Sequence, residues 1–166
     1  LELTLTGKDC GLEERAPMCG IPYHAVDIYI SRLIKKGYKI AICEQMEDPK
    51  LAKGLVKRDI VRVITPGTVT EAVMLDEKNN NYICAIYEVG NCFGLANADV
   101  STGEISCTEF SGANSFYNVL DEIARIKPSE MVVNSTMFNN ENEIGAIKKR
   151  FGLYISKLED EFFDRD

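Results

Sequence analysis

Three strand-like segments joined by very short turns constrain the fold of this chain more than any other feature. The segments are Tyr82–Val89, Cys92–Ala98 and Glu104–Phe110, and the turns between them are Gly90–Asn91 and residues 101–103. Connections this short join antiparallel strands, because a parallel pair needs a crossover of a dozen or more residues. The sequence therefore predicts a three-stranded antiparallel meander.

The residues after the meander predict alternating helices and strands. A helix is expected over 114–126, since four apolar residues recur at helical spacing before Pro128: Phe116, Val119, Leu120 and Ile123. A short strand is expected at Met131–Asn134, a second helix at Glu141–Arg150 and a last strand at Phe151–Ile155. The order β-β-β-α-β-α-β is compatible with a ribonuclease-H-like α/β fold, in which two crossover strands extend the meander.

The first 75 residues predict a smaller α+β unit, for which we expect a mixed sheet. Its expected elements are strands at 1–6, 38–44 and 59–65, a helix at 23–36 that stops at Gly37, and a helical turn at 50–56. Polar turn formers occupy 76–81, so we expect two domains, 1–75 and 76–166. Since the chain begins at Leu1 in the middle of an alternating pattern, we expect an excised part of a longer protein.

The net charge of −7 taken alone argues against a nucleic-acid-binding protein. The charge is unevenly distributed, however. Residues 1–75 hold eleven basic and ten acidic residues, whereas the remainder has a net charge of −8. Residues 32–62 alone carry +5, and Lys57 and Arg58 lie there as candidates for contact with a phosphate backbone. Alternatively, the basic residues of 32–62 form a solvated face, with lysines favoured at a helix C-terminus by the helix dipole.

Several classes of site and compartment are not supported by the sequence. No apolar run approaches the ~20 residues that span a bilayer, and no secretory signal opens the chain. With one histidine and no CxxC pair, no metal site is expected, and no glycine-rich phosphate-binding loop is present. The six cysteines are expected to be reduced, buried thiols of a cytoplasmic protein, with Cys43 and Cys84 inside apolar strands.

A metal-dependent nuclease of ribonuclease-H-like fold remains an alternative function. Such an enzyme needs several carboxylates that converge on divalent metals. The first meander strand has only Glu88 at its end, and Asp99 and Glu104 flank the next turn, where Asp usually bonds to local backbone. We therefore expect no catalytic residues. His24 has no neighbouring nucleophile signature and is interpreted as a residue at a helix start.

Three ordered motifs in the first half resemble the MutS family of bacterial DNA mismatch-repair proteins. They are APMCGIPYHAV at 16–26, YKIAICEQ at 38–45 followed by EDP at 47–49, and VRVITPGT at 61–68. A weaker similarity lies at 98–104, ADVSTGE. The resemblance implies that residues up to about 70 form the C-terminal part of a mismatch-recognition domain. The later residues would form most of a ribonuclease-H-like connector domain.

The resemblance also implies a function and candidate residues. Family members bind mismatched double-stranded DNA as homodimers, bind ATP or ADP with Mg²⁺, and recruit the partner MutL through ATP-dependent changes that the connector relays. Positions near the DNA-facing surface are Lys8, Met18, His24 and Arg62, whereas Tyr23 could equally be a packing residue. The nucleotide would bind outside this chain, for which we expect no cofactor.

One departure from the family pattern limits the expected DNA binding. The family inserts a Phe from a Phe-x-Glu motif at the mismatch, and no Phe here is followed two residues later by Glu. Such wedges find deformable base steps. We therefore expect weak, non-specific DNA affinity from this chain by itself. A third hypothesis is a pure protein-interaction module, in which the acidic second half binds a basic partner.

Overall fold

Two separate groups of buried side chains organise the chain, one in each half. The structure is a computed structural model, and it describes residues 1–11, 13–52, 54–72, 74–76 and 78–164. Among these residues no helix is long and apolar enough to cross a membrane.

The second half is built on a five-stranded sheet. Its strands are β5 (Tyr82–Val89), β6 (Cys92–Asp99), β7 (Glu104–Ser111), β8 (Glu130–Val133) and β9 (Ile155–Lys157), in the order β7-β6-β5-β8-β9. The β5–β6 and β6–β7 pairs are antiparallel, and the β5–β8 and β8–β9 pairs are parallel. The predicted α/β class is confirmed, and the strand order is that of a meander extended by two crossover strands.

Helices α2 (Ser115–Ile126) and α4 (Glu141–Phe151) contribute to the core of this half. In β5 and β6 every second side chain is buried, as strand alternation requires, whereas most of β7 is exposed. The most buried members of the core are Cys84, Ile86, Leu95, Val119, Ile123, Met131, Val133, Met137 and Ile147. Helix α2 ends where Lys127 takes a left-handed conformation just before Pro128, so the proline stop read from the sequence is confirmed.

Two details of the second half differ from the prediction. A short helix, α3 (Ser135–Asn139), stands between β8 and α4, where no helix was expected. Asn134 and Asn140 accept hydrogen bonds from the backbone N–H groups of Met137 and Glu143, so each asparagine starts a new helix. The last strand begins at Ile155, the residue where the predicted strand ended, because α4 continues through Phe151.

The first half contains two antiparallel strand pairs and one helix. The strands are β1 (Thr6–Lys8), β2 (Ala16–Met18), β3 (Ile40–Gln45) and β4 (Arg58–Ile64), and they pair as β1–β2 and β3–β4. A 3₁₀ turn at Tyr23–Ala25 leads into α1 (Val26–Ile34), which packs against β3 and β4 through Ile30, Ile34 and Ile64. The described strands of this half are therefore antiparallel pairs, and the mixed sheet lies in the second half.

Three local predictions for the first half are wrong. Leu1–Leu5 form no strand, because alternation yields a strand only where a partner supplies hydrogen bonds, and Glu2 has a φ of 57°. The described residues of 50–56 form turns without a helix, and Lys53 lies outside the described residues. Strand β2, which contains Pro17, was not expected.

The cysteines are all unpaired, but most are not buried. Cys84 is fully buried, and burial raises the pKa of its thiol to about 12. Cys43 is exposed, as are Cys10, Cys19 and Cys107. The expectation that Cys43 is buried is wrong, because it points to the face of β3 that α1 does not cover.

Candidate nucleic-acid interface

Lys8 and Met18 lie on one face of the β1–β2 ribbon. Met18 stands directly opposite Thr6, and Lys8 stands opposite Ala16. Because side chains two residues apart share a face, this register places Lys8 diagonally beside Met18. Lys8 is exposed and Met18 is 43% exposed, and the Thr6 hydroxyl donates a 2.8 Å hydrogen bond to the Met18 carbonyl that ties the strands together. The ribbon thus presents a cation beside a flexible apolar side chain.

His24 lies in the 3₁₀ turn at the start of α1 and is exposed. This confirms its interpretation as a residue at a helix start. Its neighbour Tyr23, for which the sequence left a packing role equally open, is 87% exposed and does not pack into the core of this half. An exposed tyrosine next to an exposed histidine can stack on or hydrogen-bond to a nucleotide, so Tyr23 is a further residue of interest beside the six candidates named from the sequence.

Arg62 is held by a carboxylate of its own chain. It stands opposite Ile42 in the β3–β4 pair, on the face that α1 packs against, and forms an ion pair with Glu71. The Arg62 side chain is 44% exposed, while the second carboxylate oxygen of Glu71 is buried without a partner. A phosphate would have to compete with Glu71 for this guanidinium.

Lys57 and Arg58 stand where the 46–57 loop enters β4, and both are exposed. The loop is closed by two hydrogen bonds, from Met46 N–H to the Lys57 carbonyl (2.9 Å) and from Lys57 N–H to Glu47 Oε1 (2.6 Å). Glu44 and Asp59 pair directly across the ribbon next to Arg58. The local charge is therefore close to neutral despite the basic sequence.

The structure divides the six candidates among three places. Lys8 and Met18 share one ribbon, the other ribbon carries Arg62, Lys57 and Arg58, and His24 lies on neither. Within the part of the chain that the structure describes, no ion pair joins Lys8, Lys57 or Arg58 to a carboxylate. Among the six candidates, these three cations are available to an outside anion.

The three carboxylates considered for a nuclease do not converge. Asp99 and Glu104 lie beside Tyr82 at the start of β5, and Glu88 lies near its end. Six residues of strand separate the two ends by about 20 Å. In the described ranges no group of three or more His, Cys, Asp or Glu side chains could hold a metal ion.

Asp99 instead holds the turn between β6 and β7. Its carboxylate accepts hydrogen bonds from the Ser101 hydroxyl (2.6 Å), from Ser101 N–H (2.9 Å) and from Asn81 N–H (3.1 Å). These donors, the Ser101 hydroxyl foremost, keep the pKa of Asp99 below its ordinary value. Asp99 is therefore a turn-stabilising residue, as the local sequence indicates.

A second carboxyl pair lies at the other end of the sheet. Glu88 is 8% exposed, and its carboxyl faces that of Glu143 in the first turn of α4. Burial, the charge of Glu88 and a hydrogen bond to it raise the pKa of Glu143 to about 7. The sequence contained no sign of this pair, because the two residues are far apart along the chain.

Comparison with known families gives a separate match for each half of the chain. Residues 1–73 match the family model described as MutS domain I, and residues 81–165 match MutS domain II. A relative from Acetivibrio thermocellus, "DNA mismatch repair protein MutS", is 59% identical over 100% of this chain and 19% of its own length. A protein of the same description from Ruminiclostridium cellulolyticum is 56% identical over 99% of this chain, again 19% of its own length.

Comparison of the fold adds little to this. A solved structure from Bacteroides thetaiotaomicron, a protein with actin-like ATPase fold and unknown function, has a TM-score of 0.40 at 11% identity, covering 83% of this chain and 61% of that one. So loose a likeness supports no conclusion. The sequence matches are strong, and they cover about one fifth of the relatives' length.

Proposed function

The chain belongs to the MutS family of DNA mismatch repair proteins, and on that premise we propose that its first half binds double-stranded DNA. The observation that carries the proposal is the match of residues 1–73 to MutS domain I, where all six candidate residues lie. The exposed and unpaired cations of the two ribbons support it. Each phosphate neutralised by such a cation releases condensed counterions, which favours binding.

The proposed contacts are to the DNA backbone. Lys8, Lys57 and Arg58 offer point charges and a guanidinium to phosphates, and Met18 offers an apolar contact beside Lys8. Contacts of this kind position a protein on DNA without reading sequence. Because the chain lacks a Phe-x-Glu wedge, we propose that it binds matched and mismatched duplexes alike. Preference for a mismatch then depends on residues outside this chain.

We propose that the second half communicates with the rest of the repair machinery. Its residues 81–165 match MutS domain II, and its net charge is strongly negative. In the full-length protein this half would relay ATP-dependent changes and help to recruit MutL, with the protein acting as a homodimer. ATP or ADP and Mg²⁺ would bind outside this chain, which acts as a binding module and not as an enzyme. The six unpaired cysteines agree with function in the reducing cytoplasm.

Fluorescence anisotropy with labelled duplexes tests the DNA-binding proposal. The chain is titrated with a matched duplex and with one that contains a single mismatch, at several salt concentrations. We expect measurable binding of both, without preference, and a steep loss of affinity with salt. No binding at low salt would refute the proposal.

A matched pair of double variants localises the interface. Replacement of Lys57 and Arg58 by glutamine removes two exposed cations of the first half. Replacement of Lys148 and Lys149 by glutamine makes the same charge change on α4 of the second half. We expect the first variant to lower the slope of log affinity against log salt by about 2. The second should leave the slope unchanged, and equal effects would show that only net charge matters.

A protein-interaction module is the second candidate, because the net charge of −8 is confined to residues 76–166. It predicts that charge reversal of exposed acids in this half, such as Glu109, abolishes MutL binding and leaves DNA binding unchanged. Loss of DNA binding together with MutL binding would argue against it.

A further inference from the structure

A buried carboxylate in the second half is neutralised entirely by the first half. Glu130, the first residue of β8, is 1% exposed. Its Oε1 atom lies 3.0 Å from the Lys39 ammonium, and its Oε2 accepts a 3.1 Å hydrogen bond from Gly67 N–H. Lys39 immediately precedes β3, and Gly67 lies three residues beyond the end of β4.

Removal of either partner would leave a buried charge incompletely compensated. An ionised carboxylate taken out of water is costly unless it is paired and hydrogen-bonded. Here one oxygen faces an ammonium and the other faces a backbone amide, so both oxygens are satisfied. The free energy of this site therefore depends on the position of the first half relative to the sheet.

Lys39 makes further contacts with the second half. Its ammonium lies 3.3 Å from the Ser156 hydroxyl of β9 and 5.0 Å from the centre of the Tyr154 ring. A lysine side chain that contacts residues of both β8 and β9 cannot keep these contacts if the first half rotates. Lys39 thus restricts rotation of the first half relative to the sheet of the second half.

Gly67 brings the backbone of the first half against the sheet. A Cβ atom built on Gly67 would lie 2.8 Å from Ile83 Cβ and 3.0 Å from Glu130 Cβ, which leaves no space for a side chain. The preceding carbonyl, that of Pro66, accepts a 2.9 Å hydrogen bond from Asn81 Nδ2. Ser129 Oγ in turn lies 2.6 Å from Asn81 Oδ1, so polar contacts run from the 66–67 turn to the residue before Glu130.

We propose that Glu130 is the positioning residue that sets one orientation of the first half on the sheet of the second half. Without such a site, the polar connection at residues 76–81 would permit relative motion, which is the default for two units joined by a linker. With it, the halves reorient together. The orientation itself is independent of DNA. Its consequence, that DNA bound to the first half also places the second half, rests on the proposed function.

Residual dipolar couplings measured by NMR on the 166-residue chain, without DNA, test the proposal. Backbone couplings from each half are fitted to an alignment tensor. In the unaltered chain both halves should share one tensor. In Lys39→Met and in Glu130→Gln the two halves should require different tensors, and the Gly67 amide resonance should shift most in Glu130→Gln.

Three further variants separate orientation from folding. The double variant Lys39→Met/Glu130→Gln leaves no buried charge unpaired, so it should fold at least as well as either single variant and still lose the common tensor. Lys39→Arg keeps the cation and should keep one tensor. Lys157→Met removes a surface ion pair with Glu159 (3.0 Å) and should also keep one tensor.

The inference is overturned if the double variant retains the tensor and the domain orientation of the unaltered chain. It is equally overturned if Lys157→Met changes the orientation as much as Lys39→Met does. Because no DNA is present, failure of the DNA-binding proposal would not affect either result. Conversely, loss of a common tensor would not by itself alter the affinity for a duplex bound through the first half.

Discussion

The side-chain amide of Asn134 makes two hydrogen bonds to the backbone of a single residue, Glu88. Asn134 Oδ1 accepts from Glu88 N–H at 3.1 Å, and Asn134 Nδ2 donates to the Glu88 carbonyl at 2.9 Å. Asn134 is 1% exposed, and its Oδ1 also accepts from Met137 N–H at 3.4 Å at the start of α3. One side chain therefore continues the ladder beyond the end of β8 and begins the next helix.

We expect Asn134→Ala to lower the free energy of unfolding by about 3 kcal/mol, because it leaves two buried backbone groups unsatisfied and removes a helix cap. Asn140→Ala is the matched control, since Asn140 caps α4 through a single bond to Glu143 N–H. That variant should cost about 1 kcal/mol. Urea unfolding followed by circular dichroism measures both, and equal costs would contradict the role assigned to Asn134.

The Glu88–Glu143 pair predicts a loss of stability as pH rises. The folded state binds the shared proton more tightly than the unfolded chain, because the pKa of Glu143 is raised from 4.5 to about 7. The stabilisation that the folded state gains from holding this proton is fully present below pH 4.5 and is lost as pH rises through about 7. Glu143→Gln should remove the Glu143 part of this dependence, although burial also raises the pKa of Glu88. At pH 8 this variant should be more stable than the unaltered chain by about 1 kcal/mol, since the site is partly solvated.

Chemical unfolding of Glu143→Gln at pH 5 and at pH 8 checks this prediction. Glu141→Gln serves as the control, because Glu141 lies in the same first turn of α4 and is exposed. It should leave the difference in stability between the two pH values unchanged. A Glu143→Gln protein that remains less stable than the unaltered chain at pH 8 would refute the shared proton.

Gly67→Ala should destabilise the protein by about 2 kcal/mol or displace the 66–67 turn, because a Cβ there overlaps Ile83. Gly145→Ala, within α4, meets nothing within 4 Å and should stabilise by up to about 1 kcal/mol. If the 66–67 turn packs against the sheet as described, thermal unfolding should give a lower melting temperature for Gly67→Ala and a higher one for Gly145→Ala. A stabilised Gly67→Ala protein would show that the turn does not rest on the sheet.

Removal of the Glu71 charge should release Arg62 for DNA. If Arg62 contacts phosphate in the complex, Glu71→Gln should raise DNA affinity several-fold, and Arg62→Gln should lower it. If Arg62 serves only to hold the turn that contains Glu71, both variants lose stability and neither changes the anisotropy titration. The outcome decides whether Arg62 belongs to the interface.

Local patterns account for most of the second half. The meander follows from alternation and two short turns, and α2 follows from its apolar stripe and the Pro128 stop. Helix α3 was missed because it is only five residues long and is started by Asn134, which the sequence presents as the polar end of a strand. Strands β1 and β2 were misjudged because a three-residue pair depends on its partner more than on its own composition.

For the candidate interface, too, some features could be predicted from local sequence and others could not. Its basic residues and their family motifs could be read directly, and so could the placement of His24 at a helix start. The pairing of Arg62 with Glu71 and the exposure of Tyr23 could not, because neither depends on nearest neighbours along the chain.

The sequence by itself determined the α/β class, the meander, the main helices and the membership of the family, because each of these depends on periodicity, turn residues or motifs within short segments. Tertiary structure alone decided which charges are neutralised. Glu130 finds Lys39 and Gly67, and Glu88 finds Glu143, only after distant segments are packed together. Electrostatic and hydrogen-bond energies depend on distance and burial in space, and these quantities do not exist until the chain has folded.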